Sequence, residues 1–295
     1  MNTNNDGPLV RGHRNGWDVV SVSPPSADLR GAGKSVASLV NGRWVETKHW
    51  QSREFSEEEL AAADNAGANV GIRFSSGNYF AFDVDFTDRE AATKVHEMLS
   101  RFDDGAFLGS IYRVGQPPKF ALILSTIESY LRTQISLTWD RNGTLRGKRF
   151  HQRVDLFGGS GQIVVHGIHP KTGEPYRCFA FDNSSPAKWW PVDIFEKRPS
   201  EILRPITTHQ IVGTINSIAT IMREAAWGEA RIRLGSRPTI RGRKIRKKLQ
   251  RILRQLRCGA DRKDLPSHRA TQRREILDHI CLRIIEGPPL LRTLP

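Results

Sequence analysis

The sequence predicts an α+β fold followed by helices, and two observations support this. Between residues 79 and 167, segments with the apolar patterning of β-strands follow one another with only one helix-like stretch among them. From residue 207 onward, apolar residues recur instead at three- and four-residue intervals, which is the spacing of helices. Strands in succession with few helices between them favour an α+β domain over a parallel α/β sheet.

The amino-terminal block, residues 17–87, contains two predicted strands and a short helix. VVSVSP is expected to be a strand that ends at a proline pair. Ser56 and Glu59 have the spacing of a capping box, which predicts the start of a helix. In residues 79–86, Phe and Val alternate with smaller or polar side chains, so one face of this strand is expected to be buried.

The elements after this block follow in order. A helix is expected to open at Thr87, with Glu90 three residues later, and four strands are expected in FLGSIYRV, KFALIL, RVDLFG and QIVVHG. A second capping box, Thr207 with Gln210, begins a helix with an apolar stripe of Ile211, Ile215, Ile218, Ala219 and Met222. Two more helices are expected, with stripes of Ile245, Leu249, Ile252, Leu253 and Leu256, and of Ile276, Leu277, Ile280, Ile284 and Ile285.

Composition limits the class of protein. A chain of 295 residues with 38% hydrophobic residues can bury a core, which argues against wholesale disorder. The three cysteines are widely spaced and form no CxxC pair, so we expect neither a disulfide framework nor a zinc site. The amino terminus carries no apolar export signal, and no run of about 18 apolar residues occurs. These features predict a cytoplasmic protein that does not associate with membranes.

The net charge of +14 is concentrated at the carboxyl end. Residues 231–295 hold 19 Lys and Arg against 5 Asp and Glu, whereas residues 1–230 hold 26 of each sign. An electrostatic argument for nucleic-acid binding therefore applies to the tail, and the body has to be judged on its motifs.

The first motif is the pair Asp83 and Asp85. Residues two apart on a strand point to the same face, so both carboxylates can reach one divalent cation. Phosphoryl and nucleotidyl transfer need such a pair, because metal ions hold the triphosphate and its developing charge. Two solvated carboxylates at a strand end are an equally good interpretation of this pattern alone.

The second motif places Arg113 and Lys119 on either side of a Gly-Pro turn between two strands. Two cations on a tight turn suit a triphosphate, Arg113 through its forked guanidinium and Lys119 as a point charge. Taken alone, this segment is better interpreted as an ordinary hairpin with basic surface residues.

The third motif contains Asp155, His166 and His169. Asp155 lies between two apolar residues on a short strand, so its carboxylate faces away from them and can join the same metal ions. His166 lies on a strand, where a structural role is the better interpretation. His169 precedes a tight turn, where binding residues concentrate.

In this order, the motifs give the chain a family resemblance. It resembles the prim-pol branch of the archaeo-eukaryotic primase superfamily, especially phage and prophage members, over about residues 17–227. The matched residues are Pro24, Gly33-Lys34, Trp44, Trp50, Asn69-Val70-Gly71-Ile72, Asp83-x-Asp85, Arg113-x-Gly115-x-x-Pro118-Lys119, Asp155 with Gly158, and Gln162…Gly167-Ile168-His169-Pro170-x-Thr172-Gly173-x-Pro175-Tyr176. The final cluster is the most specific part.

The resemblance implies a DNA primase-polymerase that catalyses template-directed nucleotidyl transfer with Mg²⁺ or Mn²⁺. Its core would combine an RRM-like sheet with a second small α/β unit. The catalytic metal ligands would be Asp83, Asp85 and Asp155, and the nucleotide would be bound by Arg113, Lys119 and His169. The implied partners are a single-stranded DNA template, nucleoside triphosphates and a separate helicase, in the replication of a phage, prophage or plasmid.

The sequence also departs from the family pattern. Many members have a Ser-x-His motif whose histidine contacts the nucleotide phosphates, and Lys119 stands at that stretch here. Larger relatives continue into an ATPase helicase, which this chain does not. Gly33-Lys34-Ser35 is not a P-loop, because the P-loop pattern requires a glycine five residues before Gly33, and this sequence has Asp28 there.

Two other classes of protein compete with this interpretation. Asp83-Val84-Asp85-Phe86-Thr87 fits the nucleophile motif of haloacid-dehalogenase-like phosphatases, with Asp83 as nucleophile, but their later acidic pair would have to be Asp103-Asp104, which comes too soon. A non-catalytic nucleic-acid-binding protein derived from a primase is the second alternative. Clustered carboxylates argue against it, because they repel polyanions.

These motifs divide the chain into three parts. Residues 1–200 are the expected prim-pol catalytic domain, 201–228 a helical extension and 229–295 a basic helical tail. Two interpretations of the tail stay open, a functional DNA-binding segment and the product of a truncated or altered reading frame.

Overall fold

The computed structural model describes residues 6–74, 79–126, 134–145, 148–182, 191–227 and 230–234. The strands are β1 (Val19–Val22), β2 (Ala37–Val40), β3 (Arg43–Glu46), β4 (Asn69–Arg73), β5 (Tyr79–Asp85), β6 (Ile111–Val114), β7 (Phe120–Thr126), β8 (Ile135–Leu145), β9 (Lys148–Phe157), β10 (Gln162–His166), β11 (Arg177–Ala180), β12 (Pro205–Ile206) and β13 (Arg231–Leu234). The helices are α1 (Pro8–Arg14), α2 (Glu57–Asn65), α3 (Arg89–Arg101), α4 (Pro199–Ile202) and α5 (Thr208–Glu224), with short 3₁₀ helices at Phe102–Gly105 and Ile194–Glu196.

The protein is a mixed α+β structure, which confirms the predicted fold class at that level. Its main sheet has seven antiparallel strands in the order β11-β6-β7-β5-β9-β8-β13, and the short β12 adds to β7 in parallel. A second antiparallel sheet has the order β1-β4-β10, and β2 and β3 form a separate pair.

The central strand β5 is covered on both faces, and its alternating sequence explains how. Phe80, Phe82 and Val84 are fully buried in a cluster formed with α3 and α5. Ala81, on the other face, belongs to a second cluster that includes the three-stranded sheet and α2. Asp83 and Asp85, at the far end of β5, are only half-buried. We refer to the half-buried region around these two acids as the cleft.

Helix α3 begins one residue later than the sequence predicts. The cap is Asp88, whose side chain accepts a hydrogen bond from the backbone of Ala91. Thr87 is instead held by Gln152 of β9, which donates to its hydroxyl (3.0 Å) and accepts from its backbone N–H (2.6 Å). The buried Gln152 thus ties the end of β5 to its neighbour β9, and a cross-strand tie of this kind is not visible in local spacing.

The other capping boxes match the prediction. Ser56 and Glu59 exchange side-chain and backbone hydrogen bonds at the start of α2, and Thr207 and Gln210 do so at the start of α5. The four predicted strands between residues 105 and 167 correspond to β6, β7, β9 and β10.

Three further features were not predicted. The β2–β3 pair, strand β8 and strand β11 are additional, and β8 pairs with β9 along most of its length. Residues 231–234, which the sequence assigns to the basic helical tail, form β13 and pair with β8. The sheet therefore extends to Leu234. The two helices predicted at 245–256 and 276–285 lie outside the described residues.

Candidate active site

Strand pairing brings the three predicted carboxylates onto one face of the main sheet. Asp83 on β5 lies directly opposite Asp155 on β9, and Asp85 lies opposite Arg153. Residues in register on neighbouring strands point to the same face, and so do residues two apart on one strand. The strand that carries Asp155 therefore lies directly beside residues 79–85.

The two cations of the predicted hairpin lie beside these acids. Nη2 of Arg113 is 3.6 Å from Oδ1 of Asp83, and Nζ of Lys119 is 2.5 Å from Oδ1 of Asp85. Ala121 on β7 lies in register between Arg113 and Asp83, and its small side chain leaves room for the guanidinium to cross that strand. The Gly-Pro turn thus carries cations into the site, as its sequence suggested.

A third cation, Arg153, was not singled out from the sequence. Its Nη2 is 3.3 Å from Oδ2 of Asp85 and its Nε is 3.1 Å from Oδ2 of Asp155. The position two residues before Asp155 on a strand places it on the acidic face, so strand alternation was a signal that could have found it.

The carboxylates differ in electrostatic environment. Burial raises the pKa of Asp83 above its ordinary value, and the Asp155 and Asp85 carboxylates add to this effect against the opposing charge of Arg113. Burial alone would also raise the pKa of Asp85, but the hydrogen bond and charge of Lys119, with Arg153, outweigh it and lower that pKa. The protein therefore compensates the negative charge of Asp83 less well than that of Asp85.

His169 contributes from the turn after β10. It is buried, and its Nδ1 accepts hydrogen bonds from the backbone N–H groups of Lys171 and Thr172, both at 3.3 Å. Burial, together with cations of which Lys34 has the largest effect, lowers the pKa of His169 to about 4. At neutral pH the ring is uncharged and carries its proton on Nε2, where it can donate a hydrogen bond.

The turn containing Gly115 packs tightly against the His169 turn. A Cβ on Gly115 would lie 2.5 Å from the Tyr176 ring and 2.9 Å from His169, so a larger residue would push the two turns apart. The guanidinium of Arg113 stacks over the Tyr176 ring at 5.4 Å. Glycine at this position therefore lets Arg113 and His169 reach the same cleft.

His166 is separate from this group. It is exposed on β10, and the charges that act on it are those of Asp193, Arg11 and Asp64. None of these belongs to the carboxylate cleft, so His166 lies away from it.

Lys34 is a further site residue that sequence reasoning missed. Lys34 is exposed overall, but partial burial of its ammonium and the charges of Arg113 and Lys171 lower its pKa. Asp83 and Asp85 oppose that change, so its charge interacts with all four groups. In the sequence, Gly33-Lys34 forms only a matched motif and is not a P-loop. Its approach to the acids depends on the packing of the β1–β2 loop, which local sequence does not reveal.

Asn69 on β4 fixes the Lys34 loop against the His169 turn. The buried Asn69 amide donates to the carbonyls of Gly33 (3.2 Å) and Ile168 (2.8 Å), and its oxygen accepts from the Ile168 N–H (2.8 Å). Gly33 has a φ of +82° and lies against Pro170. One side chain of the small sheet therefore positions two of the loops that line the cleft.

The donor chemistry of the site fits a hard divalent cation. Three carboxylates share one face, and Oδ1 of Asp155 is buried without a hydrogen-bond partner among the described residues. Within those residues, no group of three His, Cys, Asp or Glu side chains is arranged to hold a metal ion as it stands. Protein cations neutralise the acids instead, so a metal ion would have to displace at least one of them.

The acidic pair required by the phosphatase alternative lies elsewhere. Asp103 accepts a hydrogen bond from Gln210 at the start of α5 (2.7 Å), on the helix-covered side of the sheet. Asp83 faces the other side. The pair therefore does not complete a phosphatase site around Asp83.

Comparisons with known proteins give no indication of what this site does. No family model matches the chain, and no curated protein matches it. Among the described residues, no helix is both long and apolar enough to cross a membrane.

Proposed function

We propose that this protein is a metal-dependent nucleotidyltransferase of the prim-pol type, a DNA primase-polymerase. The observation that carries the proposal is the register of β5 and β9, which pairs Asp83 with Asp155 and leaves Asp85 beside them. The antiparallel sheet backed by α3 and α5, with a smaller sheet on its other face, is compatible with an RRM-like core and a second small unit.

In this proposal the residues divide by charge. Asp83, Asp85 and Asp155 would hold Mg²⁺ or Mn²⁺, which supplies charge stabilisation at the reacting phosphate. Arg113 and Lys119 extend from the same turn towards these acids, so they can bind the triphosphate by charge-assisted hydrogen bonds.

His169 and Lys34 complete the proposed nucleotide site. A neutral His169 would donate from Nε2 without adding charge, and Lys34 would add a further cation. Three segments thus contribute to the proposed site: the turn between Arg113 and Lys119, the His169 turn and the Lys34 loop. The attacking hydroxyl belongs to the primer or the initiating nucleotide, and the leaving group is pyrophosphate. We place this activity in the cytoplasm, on a single-stranded DNA template and with a separate helicase.

The test is primer synthesis on single-stranded DNA with nucleoside triphosphates, with and without Mn²⁺. The wild-type protein should extend or initiate chains only when the metal is present. For Asp-to-Asn variants of the three acids, Asp104→Asn is the matched control. Asp104 is exposed, lies off the site, and has a positive φ that Asn tolerates. Absence of metal-dependent incorporation by the wild-type protein on any template would refute the proposal.

One observation favours a second candidate, a non-catalytic nucleic-acid-binding protein. Each of the three acids already has a protein cation within 3.6 Å, so part of the acidic charge is offset without metal. That candidate predicts DNA binding with no metal dependence and no incorporation, which the same assay distinguishes.

A further inference from the structure

Arg153 occupies the space between two of the acids. It lies opposite Asp85 in the strand register and two residues before Asp155 on its own strand, so one side chain contacts both. Two carboxylates that share one cation in this way have the arrangement that a divalent ion would otherwise take. Arg153 therefore bridges two of the three carboxylates.

Arg153 donates a hydrogen bond from Nη2 to Oδ2 of Asp85 at 3.3 Å, whereas its contact with Asp155 is less well aligned. Its Nε and Oδ1 of Asp155 are buried and lack hydrogen-bond partners, although Nε lies 3.1 Å from Oδ2 of the same carboxylate. The contact with Asp155 is thus an ion pair without good hydrogen-bond alignment. The Arg153 side chain is 44% exposed, against 4% for Asp155, so the arginine can swing into the cleft while the acid stays fixed.

We propose that Arg153 is a positioning residue that holds Asp85 and Asp155 in place until a divalent cation displaces it. The released guanidinium then binds the polyphosphate that arrives with the metal. This inference rests on the proposed function, because it assumes that the acids take a metal ion. Arg153 thereby couples metal binding to nucleotide binding. It opposes metal binding in the absence of nucleotide and favours nucleotide binding once the metal is present.

Mn²⁺ binding to the full-length protein without nucleotide tests the first half. Free Mn²⁺ is measured by its electron paramagnetic resonance signal for the wild type, Arg153→Gln and Arg153→Lys. Removing a positive charge within about 4 Å of the metal position should tighten Mn²⁺ binding by roughly tenfold in Arg153→Gln. Arg153→Lys, which keeps the charge, should stay near the wild type. Arg177→Gln, an exposed arginine of the edge strand β11, is the matched control and should change nothing.

Binding of a non-hydrolysable nucleoside triphosphate at saturating Mn²⁺ tests the second half. Arg153→Gln should bind it about tenfold more weakly, because a charge-assisted contact to phosphate is lost. The two affinities thus change in opposite directions. A merely structural role for Arg153 would weaken both together.

The outcomes separate this inference from the proposed function. If the wild type binds Mn²⁺ and Arg153→Gln binds it no more tightly, the inference is wrong and the metal site stands. If neither protein binds Mn²⁺, both proposals fail. If Arg153→Gln binds Mn²⁺ more tightly but no variant incorporates nucleotides, the arginine exchange is supported and the polymerase activity is not.

Discussion

The Asp83 carboxylate destabilises the folded protein at neutral pH, and this cost suggests that it serves a functional site. Burial and two neighbouring carboxylates raise its pKa, so its ionised form at neutral pH is disfavoured by the fold. Such a residue is costly unless a bound cation compensates it, and perturbed carboxylates of this kind concentrate at functional sites.

Replacement of Asp83 and Asp85 by Asn should abolish nucleotide incorporation without unfolding the protein. For Asp83→Asn alone, the metal-free Tm at pH 7 should equal or exceed that of the wild type, because the raised pKa means that ionisation destabilises the folded state above the unfolded-state pKa. Calorimetry at pH 7 measures the Tm. A fall of more than about 4 °C, roughly 1 kcal/mol or more at this size, would contradict the assignment of Asp83 as an uncompensated acid.

His169 gives a pH prediction of the opposite kind. Its folded pKa of about 4 lies below the ordinary value of 6.5, so the unfolded chain takes up a proton first as the pH falls. Stability is therefore fully present above pH 6.5 and is lost between pH 6.5 and 4. His169→Asn, whose oxygen can still accept from the turn, should reduce the slope of unfolding free energy in that window by up to about 1.4 kcal/mol per pH unit. Urea titrations at several pH values would show it, and an unchanged slope would mean that His169 titrates normally.

Three cleft residues share a second test at this scale. Changing Arg113, Lys119 or His169 to Ala should each weaken nucleotide affinity more than template affinity, by roughly 1.5–3 kcal/mol for a lost charge-assisted bond. Equilibrium binding of nucleotide and of single-stranded DNA, measured separately, decides it. If nucleotide affinity is unchanged in all three variants, the residues are structural.

Among the elements, β4 has a role that its short apolar sequence does not suggest. Its first residue, Asn69, makes three hydrogen bonds that join the Lys34 loop to the His169 turn. The small sheet thereby serves as the support for half of the cleft, while β5 and β9 of the main sheet carry the acids.

Asn69→Ala should therefore separate the two halves of the site. The loss of buried hydrogen bonds, with the Gly33 and Ile168 groups left unpaired, should lower the free energy of unfolding by about 2–4 kcal/mol. Nucleotide affinity should fall, whereas Mn²⁺ affinity should stay within about threefold, since β5 and β9 are untouched. Asn216→Ala on the exposed side of α5 is the control. Equal losses of both affinities would show that Asn69 supports the whole fold rather than the loops.

For the whole molecule, charge is distributed unevenly between body and tail. Residues 1–230 carry no net charge, yet several Lys and Arg side chains lie around the acids of the cleft. Charge alone places the start of the tail at residue 231. Residues 231–234 nevertheless form β13 and belong to the main sheet. A deletion of the basic segment that keeps every described strand therefore starts at residue 235.

Deletion of residues 235–295 should leave a folded, metal-dependent core. Full-length protein should bind DNA without sequence preference, losing about 0.7–0.9 log units of affinity per log unit of salt for each phosphate contacted, and the deletion should flatten this slope. Fluorescence anisotropy over a salt series measures it. An unchanged slope would show that the tail does not contact DNA, and a truncated protein that fails to fold would show that the tail packs on the core. A tail from an altered reading frame would be protease-sensitive and dispensable for every activity.

The sequence by itself determined the elements whose signals are local. Alternation placed Asp83 and Asp85 on one face of β5, capping boxes marked α2 and α5, and the Gly-Pro turn identified a hairpin with two cations. Only the tertiary structure decided which strands are neighbours, because register depends on contacts between residues far apart in the chain. The pairing of β5 with β9 put Asp155 opposite Asp83 and introduced Arg153 between the acids, and loop packing brought Lys34 to the cleft.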